Sequence, residues 1–128
     1  MIEIYITSEN TLTKLDELVE GCWVKLTDPT AIELLDISNV TGIDINSLRA
    51  PLDEEERARI EVEENYDLIL VDIPTLEKRN DKDRYVTIPL GIYLTENYLI
   101  TNCLEDTPIL SYFSDGRVRN FFTYKKTR

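Results

Sequence analysis

The sequence predicts an α/β fold of the α+β kind, a mixed β-sheet of about six to seven strands flanked by short helices. Three observations carry that expectation. The chain opens on apolar–polar alternation, which is the period of a strand. A pair of capped helices then separates the early strands from the later ones, so part of the sheet must be joined by a crossover. Finally, a near-continuous apolar run, Tyr66–Ile73, reads as a strand buried on both faces and is followed by a hairpin.

Taken in order, Ile2, Ile4 and Ile6 alternate with Glu3, Tyr5 and Thr7 as a half-buried strand. Ser8-Glu9-Asn10 is a turn into a returning strand from Thr11 to Asp16. Gly21 breaks the chain before a third strand, Cys22–Thr27, in which Trp23 has a packing role. Thr30 and Glu33 fit a capping box behind Pro29, and Gly42 supplies a left-handed stop. Between them Ile32, Leu34, Leu35, Ile37 and Val40 spread around the helical wheel, so this helix is expected to be buried on more than one side. Asp44 caps a second short helix that includes Leu48.

In the next strand Ile60 and Val62 are expected to point inward, with Arg59, Glu61 and Glu63 outward. Glu64-Asn65 turns the chain into Tyr66–Ile73, which Pro74 closes. Glu77–Arg84 reads as a charged, mobile loop. Tyr85–Leu94 and Tyr98–Leu104 form a hairpin across Thr95-Glu96-Asn97, and Gly91 marks a bulge or a close backbone approach. Thr107 caps a last helix with Pro108 at its first position, ended by Asp115-Gly116.

The chain has 128 residues, enough for one domain with a core of its own. Its 25 acids against 14 bases give a net charge of −11, which excludes a nucleic-acid backbone as partner. The charge is uneven: residues 117–128 contain Arg117, Arg119, Lys125, Lys126 and Arg128 and no acid, so they carry +5 against −16 for the rest. The domain expected is therefore 1–116, with 117–128 as a linker or the start of a truncated stalk helix. No basic leader precedes the first strand and no apolar stretch approaches the ~20 residues of a membrane helix, so the expectation is a soluble, cytosolic chain. Cys22 and Cys103, each alone in an apolar segment, are expected as buried free thiols.

Histidine is absent, which removes Ser-His-Asp and Cys-His catalysis and every His-ligated metal at once. The four glycines are far apart, so no phosphate-cradling loop exists. No enzyme is expected. What remains is Leu52–Ile73, whose acids Asp53, Glu54, Glu61, Glu63 and Glu64 are the candidate metal ligands. Glu61 and Glu63, two apart on a strand, would lie roughly 7 Å apart on one face. That spacing suits a hydrated Mg²⁺ held through its waters, not a tightly bound cofactor. The same acids read first as a solvated or inter-subunit face, and the alternative function is a stand-alone acidic module binding a basic partner.

Glu56-Arg57-Ala58-Arg59-Ile60-Glu61, followed by Glu64-Asn65-Tyr66 and an apolar strand, resembles the cytosolic N-terminal domain of the CorA-type magnesium transporters. Gly21–Leu26 with Pro29-Thr30, Ile88–Thr101 and Asn120–Thr123 are similar to further parts of that domain in the same order. The resemblance implies a regulatory, cytosol-facing domain of a pentamer, whose subunits bind divalent cations between them to hold a Mg²⁺ channel shut. The pore helices would lie beyond Arg128, so membrane contact would be made only through them. The chain departs from the family where an acidic pair is expected, having Arg49 and Ala50, and it has Ala58 in place of a proline.

Overall fold

The computed structural model describes residues 1–79, 82–116 and 123. Seven strands form one mixed sheet: β1 (Ile2–Ser8), β2 (Thr11–Leu15), β3 (Cys22–Thr27), β4 (Arg59–Val62), β5 (Tyr66–Arg79), β6 (Lys82–Thr95) and β7 (Tyr98–Cys103). Their spatial order is β2-β1-β3-β7-β6-β5-β4. Every neighbouring pair is antiparallel except β3 and β7, which run parallel from Cys22 beside Tyr98 to Thr27 beside Cys103. Helices α1 (Ala31–Thr41) and α2 (Ile45–Arg49), with a 3-10 turn at Ala50–Leu52, cover one face, and α3 (Pro108–Ser114) lies on the other.

Local chemistry sets the ends of these elements as expected. Both halves of the capping box form: Glu33 N donates to Thr30 Oγ1 at 3.2 Å and Thr30 N donates to Glu33 Oε1 at 2.9 Å. Gly42 ends α1 at φ 78°, a conformation that a side chain would resist. Glu9 and Asn10 both have positive φ, as a two-residue turn between β1 and β2 requires. Thr107 Oγ1 accepts from Leu110 N at the start of α3.

The core is two layers. Under α1 and α2, Leu34, Ile37, Ile43 and Leu48 pack on Val24, Leu26, Leu68, Tyr93 and Ile100. Under α3, Leu110 packs with Tyr5, Trp23, Leu90 and Cys103. Each fully buried aliphatic side chain contributes about 1.5–3 kcal/mol. Trp23 belongs to this core, its Nε1 donating to Thr101 Oγ1 at 2.9 Å. Cys22 and Cys103 are buried and unbridged.

Four expectations are corrected. Helix α1 buries only Leu34 and Ile37; Ile32, Leu35 and Val40 are exposed on its outer side, because a single sheet can cover only one stripe of a helix. In β4 the faces are reversed: Ile60 and Val62 are 71% and 76% exposed, while Arg59 and Glu61 are partly buried beside Leu70 and Leu68. Strand β5 does not close at Pro74. Strand β4 begins at Arg59 opposite Leu70, so β5 beyond that point is an edge strand, where a proline is tolerated. The charged stretch Glu77–Arg84 is mostly ladder, with Glu77 opposite Arg84 and pairing continuing to Arg79 and Lys82; opposite charges in cross-strand register favour the strand over a loop.

Gly91 is a close approach. A Cβ there would sit 2.3 Å from Pro51 Cγ, so the absent side chain is what lets the 3-10 turn settle on β6. The expected change in character at residue 117 lies outside the described residues.

Candidate functional site

The acids of interest hang from a firmly seated platform. Three hydrogen bonds fix α2 on the sheet: Tyr93 OH donates to Ser47 O at 2.6 Å, Tyr66 OH to Ser47 Oγ at 2.8 Å, and Asn102 Nδ2 to Leu48 O at 2.7 Å. Burial pushes the Tyr93 hydroxyl well above the ordinary tyrosine range. Arg49 and Ala50 follow directly, then the acidic loop that leads into β4.

The structure separates the five candidate ligands into four places. Asp53 Oδ1 caps its own turn, accepting from Glu55 N at 3.0 Å. Glu54 lines a shallow depression of about 580 Å³ with Thr75, Glu77 and Glu105, where Thr75 Oγ1 donates to Glu105. Glu61 accepts from Arg59 Nε at 2.7 Å, and the same guanidinium donates to Glu56 at 2.5 Å. The hydrogen bonds that Arg59 donates to Glu61 and then to Glu56 raise its pKa above its ordinary value. Glu63 and Glu64 lie beyond the end of β4, lining a separate depression of about 330 Å³ with Asp44, Ser47 and Tyr66. Among the described residues no three His, Cys, Asp or Glu side chains converge as a metal-holding group.

At the two positions where the resemblance implies acidic ligands, Arg49 is an exposed cation and Ala50 is buried at 8%. Neither side chain offers an oxygen to a metal, so these side chains do not fit the acidic pair that an inter-subunit cation would need at this place.

One functional group went unseen in the sequence. Lys25, in the middle of β3, is 1% exposed on the α3 face. Its Nζ donates to Asp106 Oδ1 at 2.9 Å and lies 3.4 Å from Ser114 Oγ and 3.9 Å from Glu3 Oε1. Tyr5 OH donates to the other oxygen of Glu3 at 2.9 Å, and burial, aided by that carboxylate, pushes Tyr5 up to about 12. This network ties both ends of α3 to the sheet. The only sequence signal was a lysine flanked by Val24 and Leu26.

A mixed seven-stranded sheet with α1 and α2 braced on one face, α3 on the other and an acidic β4 edge defines the fold class, an α/β domain of the α+β kind. Two solved structures share that architecture over nearly all of the chain. They are the soluble domain of CorA from Methanocaldococcus jannaschii (28% identity, TM-score 0.72, 92% of this chain and 48% of that one) and the complete CorA magnesium transporter of that organism (25% identity, TM-score 0.71, 100% and 40%). The full-length CmaX protein, at 11% identity and TM-score 0.63, shares the fold, with 90% of this chain and 37% of that one aligned. The cobalt/magnesium transport protein CorA of Methanocaldococcus jannaschii is 31% identical over 119 residues, 90% of this chain. The family described as CorA-like Mg²⁺ transporter protein matches residues 20–119, and the chain belongs to that family. It spans about a third (34%) of the curated relative's length. No helix among the described residues is long and apolar enough to cross a membrane.

Proposed function

We propose that the chain acts as the cytosolic regulatory domain of a CorA-like Mg²⁺ transporter, contributing to subunit assembly and to cation-dependent gating, and that it is not an enzyme. The observation that carries this reading is the similarity of the whole seven-stranded architecture to the M. jannaschii soluble domain at a TM-score of 0.72. The relatives it matches are transport proteins. Mg²⁺ enters this reading as the transported ion. No gating step is assigned to a cation at residues 49 and 50, because their chemistry does not fit one.

The test is a chimera in which this chain replaces the matching third of the M. jannaschii relative, reconstituted in vesicles. Mg²⁺ uptake that falls as internal Mg²⁺ rises is the expected result. A chimera that assembles and transports with no response to internal Mg²⁺ would remove the gating role, and one that fails to assemble would remove the assembly role. A second reading, an acidic module that binds a basic partner, is favoured by the outward position of Ile60 and Val62 beside the acids.

A further inference from the structure

Helix α3 is held on the sheet by a grip of unequal parts. It is seven residues long, too short to be stable by itself. Leu110 is its one buried residue, and Ile109 and Tyr112 are exposed. The polar part of the grip runs through Lys25 of β3, whose Nζ donates to Asp106 Oδ1 at 2.9 Å and to Ser114 Oγ at 3.4 Å. Apolar side chains would hold the helix about as well, because replacing a buried ion pair by well-packed hydrophobic residues is often neutral or stabilising. What the ion pair adds is a choice of partners.

Lys25 has a second carboxylate within reach. Glu3 stands directly opposite it on β1, with Oε1 3.9 Å from Nζ. Glu3 belongs to the sheet: its Oε2 accepts from Tyr5 OH at 2.9 Å and from Lys14 Nζ at 3.4 Å. Asp106 belongs to the helix, because Ser111 Oγ donates to the same Oδ1 at 3.0 Å. The Asp106 side chain is 52% exposed and that of Glu3 only 16%. A lifting helix therefore carries Asp106 into water and leaves Glu3 beside the buried ammonium. Lys25 is never stranded, so the large penalty for breaking a buried pair does not apply. Elements with few apolar contacts are those that open while the rest of a domain stays folded. Around α3, Trp23, Leu90, Ile92 and Leu99 line an apolar depression of about 250 Å³, which Ile109 and Phe113 of the helix close from the other side.

We propose that α3 is a releasable lid over this depression and that Lys25 is its two-position switch. The ammonium pairs with Asp106 when the lid is seated and with Glu3 when it lifts. The inference goes beyond the transporter reading and does not depend on it.

Native-state hydrogen exchange of the intact chain at fixed pH tests the switch. The amides of Ser111 and Asp115, bonded to Thr107 O and Ser111 O, report the lid, and the amides of β3 and β7 report the sheet. In the wild type the lid amides should exchange without the urea dependence of global unfolding, and the sheet amides with it. Asp106→Asn weakens the seated pair and should speed lid exchange roughly tenfold, since a charge-assisted hydrogen bond becomes an ordinary one. Glu3→Gln weakens the lifted pair more than the seated one and should slow lid exchange. Acrylamide quenching of Trp23, the one tryptophan, should rank the three chains in the same order. A network that merely braces the helix would make both substitutions speed exchange, and that result would overturn the proposal. So would lid amides that exchange only together with the sheet. Lys25→Met keeps the bulk and removes the switch, so adding Asp106→Asn to it should change lid exchange by less than about twofold. A tenfold effect that persists in that background overturns the switch even where Glu3→Gln does not fold.

Discussion

Thr7 and Thr123 hold each other reciprocally: the backbone N–H of each donates to the hydroxyl oxygen of the other, at 3.0 and 3.1 Å, across 116 positions of sequence. Thr123 is 0% exposed. Removing either hydroxyl leaves a buried N–H without its acceptor, at a cost of about 1–3 kcal/mol. Thr123→Ala and Thr7→Ala should each lower the unfolding free energy measured in urea by that amount, and the double variant should cost less than their sum. Thr123→Ser, which keeps the oxygen, should recover most of the loss. Additive single effects would show that the two bonds are not coupled.

Gly91→Ala should destabilise the fold by about 1–3 kcal/mol, the range for an overpacked contact. The clash is with Pro51 Cγ, so Gly91→Ala combined with Pro51→Ala should be milder than Gly91→Ala alone. Thermal unfolding of the three variants decides it.

Lys25 and Asp106 give an asymmetric prediction. Asp106→Ala leaves the buried ammonium only the longer contacts to Ser114 and Glu3 and should cost about 1–3 kcal/mol, less than breaking a fully buried pair because Asp106 is half-exposed. Lys25→Met removes the charge and keeps the bulk, so its cost should be smaller. Equal losses in urea unfolding would refute the asymmetry.

Tyr5 makes the fold sensitive to alkali. Its folded pKa is raised to about 12 from 10.0, so the native state holds this proton more tightly than the unfolded chain. The associated stability is complete below pH 10 and is lost as pH rises towards 12. Tyr93, also raised by burial, acts in the same direction. Tyr5→Phe should flatten the fall in stability over that window, as followed by urea midpoints at successive pH values.

Metal removal should do nothing to the isolated chain. A ligand present at 100 times its Kd would add about 2.7 kcal/mol. With Asp53, Glu54, Glu61 and the pair Glu63 and Glu64 in four separate places, and no three acids converging among the described residues, neither millimolar Mg²⁺ nor a chelator should move its melting temperature. A rise with Mg²⁺ would mean that these acids do share an ion.

Much of the fold was legible because its signals are local. Thr30 with Glu33, Gly42, Thr107 with Pro108 and the Glu9-Asn10 turn act within a few residues, and each sits where the sequence placed it. The orientation of β4 was not legible. Alternation of Ile60 and Val62 with Arg59 and Glu61 says that the two faces differ, but not which of them a neighbour covers. Pro74 misled because its tolerance depends on where the adjacent strand starts, a fact of tertiary pairing. The grouping of the acids is a question of three dimensions, and so is the partner of Lys25, 81 residues away.

The parallel seam between β3 and β7 has a consequence for how the chain is made. Everywhere else the sheet grows by antiparallel pairing, but Trp23 meets Thr101 across 78 residues. Closing so long a loop is slow, since its entropy must be lost before the contact rewards it. On a ribosome, β1–β3 must wait, with one flank unzipped, until Cys103 has emerged. The three early strands and the four late ones are thus two half-sheets made at different times and joined by one parallel ladder.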